Sequence, residues 1–272
     1  METLAELLSD PFLTRALLVG SLVSVCAALL GVTLVLKKSS MIGDGLSHVS
    51  FGALSVAAAF GWAPLAVCIP VTVAAAFAIL SLSSRARVSG DSSVALFSTT
   101  ALAAGVMVTS LVGGLTTDVT SYLFGSILAM KEEDVALSLI LGAGVLLVFV
   151  LCYHRIFAVT FDESVARATL PHAGLYHALI AVLTAVTVVL GMRMMGALLL
   201  SSLILFPALT AMRLCRRYRS VVLSAAGLSL GSFVTGLLLS FLFNTPVGAT
   251  IVLVDALLFG LFSLIGALRR EK

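Results

Sequence analysis

From about residue 12 to residue 268 the chain runs as a succession of apolar stretches, each close to 20 residues long and separated by short polar connections. About 20 apolar residues is what a helix needs to cross a hydrocarbon core about 30 Å thick. Backbone amides in such a core must be satisfied within their own segment or in a closed barrel, and the alternating strands that a barrel requires are absent here. The composition agrees: 60% of the 272 residues are hydrophobic, 11% are charged and the mean hydropathy is +1.19, whereas soluble domains carry about a quarter charged residues. The predicted fold is all-α, a polytopic transmembrane helical bundle of about eight to nine spans. Nine segments are expected, at roughly 12–36, 41–61, 63–83, 92–113, 134–153, 175–192, 194–213, 220–243 and 247–268.

The basic residues set an expected orientation, because short cytoplasmic loops are rich in Lys and Arg. Thirteen of the sixteen fall in five clusters: Lys37 and Lys38; Arg85 and Arg87; Arg155 and Arg167; Arg213, Arg216, Arg217 and Arg219; Arg269, Arg270 and Lys272. Nine spans put all five on one side, which places the N-terminus outside and the C-terminus in the cytoplasm. The formal charge of +3 is spread over these clusters without a continuous basic face, so nucleic acid is not an expected partner. Cys26, Cys68, Cys152 and Cys215 lie far apart with no CxxC spacing, which suggests neither a disulfide framework nor a thiolate zinc site. The first ten residues carry no Lys or Arg, so a cleaved signal peptide is not expected. No repeat or linker divides the chain, and residues 1–272 read as one membrane domain.

Within the spans most polar residues are Ser and Thr, which bond their own helix or a neighbour, and Pro207 reads as a tolerated kink. Ionisable groups stand apart, since each costs about 3 kcal/mol near the bilayer centre unless it faces protein or water. In GDGLSH, Asp44 and His48 are four apart and share a helix face, with Ser39 and Ser40 as candidate helix starters. A carboxylate and an imidazole suit a divalent metal. The same spacing also suits an Asp–His hydrogen bond that only satisfies two buried groups. Two ligands are few for a metal, and a two-fold dimer would double them. Asp255, near the middle of the last segment, either lines a pathway or bonds a neighbouring helix, the second being favoured. His154, His172 and His177, at or near the connection between the fifth and sixth segments, are expected to be solvated or interfacial rather than ligands.

Several blocks together resemble the permease subunit of the zinc and manganese ABC importer family. SSMIGDGLSHVSFGA (39–53) is similar to that family's early GD…H motif and SYLFGSILAM (121–130) to its YLFG block. MMGALLLSSLILFPALTA (194–211) resembles its VGALL and IPAATA-like segment, and NTPVGATIVL (244–253) its DTPAG-like turn. Asn244 stands where that family commonly has an acidic residue, and Asp255 in a segment expected there to be apolar.

The resemblance implies a homodimeric pore in the plasma (inner) membrane, separate ABC ATPase subunits, an extracytoplasmic metal-binding delivery protein, and zinc or manganese as the transported ion with no permanently bound cofactor. Asp44 and His48 are the expected metal residues. Tyr122, Leu123, Phe124 and Gly125, with Asn244, Thr245 and Pro246, are expected at the outer gate or the delivery-protein dock. No GxxxxGK[ST] phosphate loop occurs, so the chain is not expected to be an enzyme and its energy must come from a partner or an ion gradient. Residues 155–172 are the candidate coupling segment. Within it Phe161, Asp162, Glu163, Ala166 and Arg167 resemble the family's coupling helix, and FDESVARA is expected to form a short helix. Two other readings remain. One is a secondary transporter using Asp44, His48 and Asp255 as a proton relay; the other is an intramembrane metalloprotease, disfavoured because HExxH is absent.

Overall fold

The computed structural model describes residues 11–85, 89–112 and 132–270. Among them the chain forms eleven helices: α1 (Pro11–Leu36), α2 (Ile42–Ala59), α3 (Pro64–Arg85), α4 (Gly90–Leu111), α5 (Glu132–Leu151), α6 (Tyr153–Phe161), α7 (Glu163–Thr169), α8 (Ala173–Met195), α9 (Ala197–Leu214), α10 (Tyr218–Phe243) and α11 (Val247–Arg270). Each of the nine expected segments corresponds to one of these helices. Seven of them are long and apolar enough to cross a membrane, and α5 with α6, bent by 70° at Cys152, makes a possible eighth. The exception is α2, whose Asp44, His48 and three serines dilute its hydropathy.

Helix α1 forms the axis of the bundle. Val19, Ala27, Ala28 and Val32 along it are fully buried, and it packs against α5, α8, α9 and α10. Its end is closed by Lys38 at φ 56°, with the Ser39 N–H donating to the Leu34 carbonyl at 2.9 Å and the Lys38 N–H to Val35 at 3.0 Å. This is a Schellman closure, in which a left-handed residue lets the last carbonyls find partners.

The closure corrects the expectation for Ser39 and Ser40. Helix α2 starts later, at Ile42 behind Met41, and Met41 makes no side-chain cap. The Ser39 hydroxyl donates back to the Lys37 carbonyl at 3.3 Å, because the serine belongs to the turn that ends α1.

Helices α8 and α9 are joined by one residue, Gly196, at φ 85° and ψ 161°. A side chain is strained at that φ, so the joint requires glycine. The segment boundary therefore falls three residues beyond the expected one, and Pro207 lies buried inside α9. Helix α9 is the second structural hub, touching α1, α2, α8, α10 and α11.

One helix was not foreseen. After Cys152 the chain turns into the amphipathic α6, which buries Ile156 and Val159 and exposes Phe157 and Phe161. A break there fits the sequence: YHRIF carries too much polarity to continue a span but keeps an apolar stripe for the bundle end.

Candidate functional site

The site is built where α2 meets α9. Asp44 lies in the first turn of α2, where its charge complements the helix dipole. His48 follows one turn deeper, about 9 Å beyond Ile42 by helical rise. The two flanking glycines allow neighbouring helices to come close: a Cβ at Gly43 would sit 2.6 Å from Ile204 Cδ1 of α9, and one at Gly45 would sit 2.3 Å from Val94 Cγ1 of α4. The sequence GDG thus presents a carboxylate between two tightly packed helix contacts.

His48 Nε2 lies 3.6 Å from Asp44 Oδ2, with the side chains 21% and 42% exposed. That separation is too long for a hydrogen bond. It is an ordinary separation for an i,i+4 carboxylate–imidazole ion pair, and it is also compatible with a shared cation, since ligand atoms about 2.1 Å from one tetrahedral zinc ion stand roughly 3.4 Å apart. The other carboxylate oxygen, Asp44 Oδ1, accepts from the Ser201 hydroxyl at 3.0 Å. Ser201 Oγ is also 3.0 Å from the Ala197 carbonyl. A hydroxyl has one proton, so it serves one acceptor at a time. Among the described residues no group of three or more His, Cys, Asp or Glu side chains is assembled. One chain therefore offers two ligands, fewer than a tightly held metal takes.

The next residue of α9 faces another helix. Ser202 donates to Asp255 Oδ2 of α11 at 3.1 Å, and Asp255 is 3% exposed. The structure does not gather Asp255 with Asp44 and His48; two adjacent serines hold the two carboxylates on different sides of α9. Neither serine stands out by sequence, where hydroxyls in spans read as helix glue. The available signal is that SS is an adjacent hydroxyl pair within the otherwise apolar run LLLSSLIL.

The remaining expected residues are distributed away from this seam. Tyr122, Leu123, Phe124 and Gly125 lie outside the described residues. Asn244, Thr245 and Pro246 are exposed and form the turn between α10 and α11. Asn244 adopts φ 51° as the C-cap of α10, a conformation that Asn accepts readily. Ser240 Oγ donates to the Thr245 carbonyl at 2.5 Å and secures this turn.

FDESVARA forms α7 as a short helix. Asp162 Oδ1 accepts from the Ser164 hydroxyl at 2.5 Å and from the Ser164 and Val165 N–H groups at 3.0 Å each. The Ser164 hydroxyl first, and then the Val165 N–H, hold the Asp162 carboxyl below its ordinary value. Phe161 and Val165 are exposed on this end while Ala166 is buried, and Glu163 and Arg167 belong to the same helix.

His154 and His172 are exposed as expected. His177 is only half-buried, and its Nδ1 accepts from Lys37 Nζ at 2.6 Å. It ties α8 to the end of α1 and so belongs to the packing of the bundle.

The described residues thus form a bundle of apolar helices long enough to cross a membrane, with Asp44 and His48 partly exposed where α2 meets α9. The chain belongs to the ABC 3 transport family, whose model matches residues 9–266. It is 29% identical over 256 residues to the manganese transport system membrane protein MntC of Halalkalibacterium halodurans, covering 94% of this chain and 88% of that one. It is 30% identical over 247 residues to the high-affinity zinc uptake system membrane protein ZnuB of Haemophilus influenzae, covering 90% and 94%. Among solved structures it superposes on a chain of PsaBC from Streptococcus pneumoniae, determined in complex with a Fab, with a TM-score of 0.84 and 26% identity over 95% of this chain and 93% of that one. An inward-facing putative metal-chelate type ABC transporter shares the fold at a TM-score of 0.70 and 16% identity, covering 97% and 91%.

Proposed function

We propose that this chain is the ion-conducting permease of an ATP-driven importer for zinc or manganese, with Asp44 and His48 as the transient binding residues. The observation that carries the reading is the 3.6 Å Asp44–His48 pair, partly exposed and oriented by Ser201 from a second helix. Near-full-length relatives named for manganese and for zinc support it. An incomplete ligand set suits transport, because the ion must leave as readily as it arrives. Two chains around a two-fold axis would bring the set to two carboxylates and two imidazoles.

In this reading α2 also crosses the membrane, its 18 residues spanning about 27 Å, which makes nine spans with the N-terminus outside and the C-terminus in the cytoplasm. The capped helix α7, with Phe161, Asp162, Glu163, Ala166 and Arg167, docks a separate ABC ATPase. The turn of Asn244, Thr245 and Pro246, with Tyr122, Leu123, Phe124 and Gly125, forms the outer gate or receives a delivery protein. The membrane is the plasma (inner) membrane.

Uptake of radioactive zinc and manganese into proteoliposomes holding the permease with its ATPase tests this. Uptake should require ATP and fall with Asp44→Ala and with His48→Ala while the ATPase stays bound. Metal movement by the permease alone along a pH gradient would instead establish the secondary transporter. The separation of Asp255 from Asp44 and His48 by α9 weighs against the proton relay that the rival needs.

A further inference from the structure

Helices α5 and α10 each pack on α1 and leave between them a groove of about 510 Å³ on the side of the bundle. Its floor is Leu29 and Phe149, both buried, and its rims are the exposed Val150 and Leu223. The groove runs about 10 Å along α10, from Arg219 to Ala226, by helical rise. Only one end is polar, where Tyr153, His154 and Arg219 line it. We propose that this groove is a binding site for an anionic phospholipid, with an acyl chain along the apolar walls and the phosphate at Arg219.

Three observations select that occupant. The apolar walls and single polar end match an amphiphile, and an extended protein segment would need backbone hydrogen-bond partners that these walls do not offer. The polar end carries Arg219, follows the exposed Arg216 and Arg217, and has no carboxylate in its lining, so its charge complements an anion. Basic pockets between membrane helices bind acidic headgroups in this way. Finally, the same end lies in an aromatic cluster, with Tyr218 centred 5.5 Å from Tyr153 and 4.9 Å from Phe157. Tyr side chains collect at headgroup level, so Tyr153 and Tyr218 suit this end to the phosphate region of a leaflet. A second copy of the chain has better places to dock, since α4 and α11 are the least buried of the seven apolar spans.

The test uses the intact permease–ATPase complex in phosphatidylcholine vesicles doped with a photo-crosslinking phosphatidylglycerol, the labelled peptides being mapped by mass spectrometry. Labels should fall on the groove walls at 146–150 and 222–226. Arg219→Gln should reduce them roughly fivefold, the factor that one basic residue contributes near an anionic surface, and Arg219→Lys should restore them. Ala226→Phe, which narrows the apolar end of the groove and keeps the charge, should also reduce the labels, so the proposal stays open to test if Arg219→Gln fails to assemble. Equal labelling by a phosphatidylcholine probe, labelling unchanged in both variants, or groove crosslinks to a second copy or to the ATPase would overturn it.

Discussion

Asp44 and Asp255 form a natural pair for comparison. Each is a carboxylate in a helix of the bundle, and each accepts a hydrogen bond from one of two adjacent serines of α9. Their surroundings differ. Asp44 has a side chain 42% exposed and a histidine one turn away, whereas Asp255 is 3% exposed and buried between α9 and α11. A serine bond alone therefore says little about a carboxylate's task. Exposure and a neighbouring imidazole leave Asp44 accessible, while burial and bonds from Ser202 and Ser232 make Asp255 a joint between α9, α10 and α11.

The largest expected effect would break this comparison if it failed. Asp44→Ala and His48→Ala should each lower metal uptake about a hundredfold, at the upper end of what loss of a metal-site interaction costs, with complex assembly by size exclusion unchanged. Asp255→Ala should leave uptake per folded molecule near normal; a hundredfold loss there would make the two carboxylates equivalent. Ser201→Ala should reduce uptake roughly tenfold by releasing Asp44 Oδ1, the scale seen when the partner that orients a ligand is removed. Ser202→Ala should not do so, and measuring both serine variants side by side separates the roles of their carboxylates.

A smaller effect concerns stability. Asp255→Ala leaves the buried Ser202 hydroxyl without its acceptor and should destabilise the bundle by about 1–3 kcal/mol, read as a lower thermal midpoint in detergent. The smallest effect is with pH at a third carboxylate, Asp162. Its folded pKa is depressed, so its contribution to α7 is present above the unfolded value of about 3.9 and is lost as pH falls through the lower folded value. ATPase binding to the permease should thus be flat between about pH 8 and 5. A loss in that range reversed by Asp162→Asn would show that the cap titrates where it should not.

The fold was largely legible from segment length and apolarity, because membrane helices must satisfy their own backbone and leave that requirement in the sequence. The motif GDGLSH also made the pairing of Asp44 and His48 legible, since spacing by four places two side chains on one face of any helix. Ser201 was hidden because its importance comes from a contact 157 positions away, and no local pattern distinguishes it from other hydroxyls in spans. The start of α2 was misplaced for a related reason: Ser39 and Ser40 look like caps, but Lys38 turns left-handed and draws Ser39 into the closure of α1. Helix α6 was missed because a 70° bend after Cys152 depends on the bundle end that its apolar stripe covers.

The two acceptors of the Ser201 proton have an energetic consequence. If Asp44 swings away with a departing ion, the hydroxyl can rotate to the Ala197 carbonyl, already 3.0 Å away. The serine then has no stranded donor to oppose the movement, because its proton finds an equivalent resting place within its own helix. If Asp44 is the transient ligand proposed above, this exchange offsets part of the cost of moving the carboxylate, because the serine proton is never left without an acceptor.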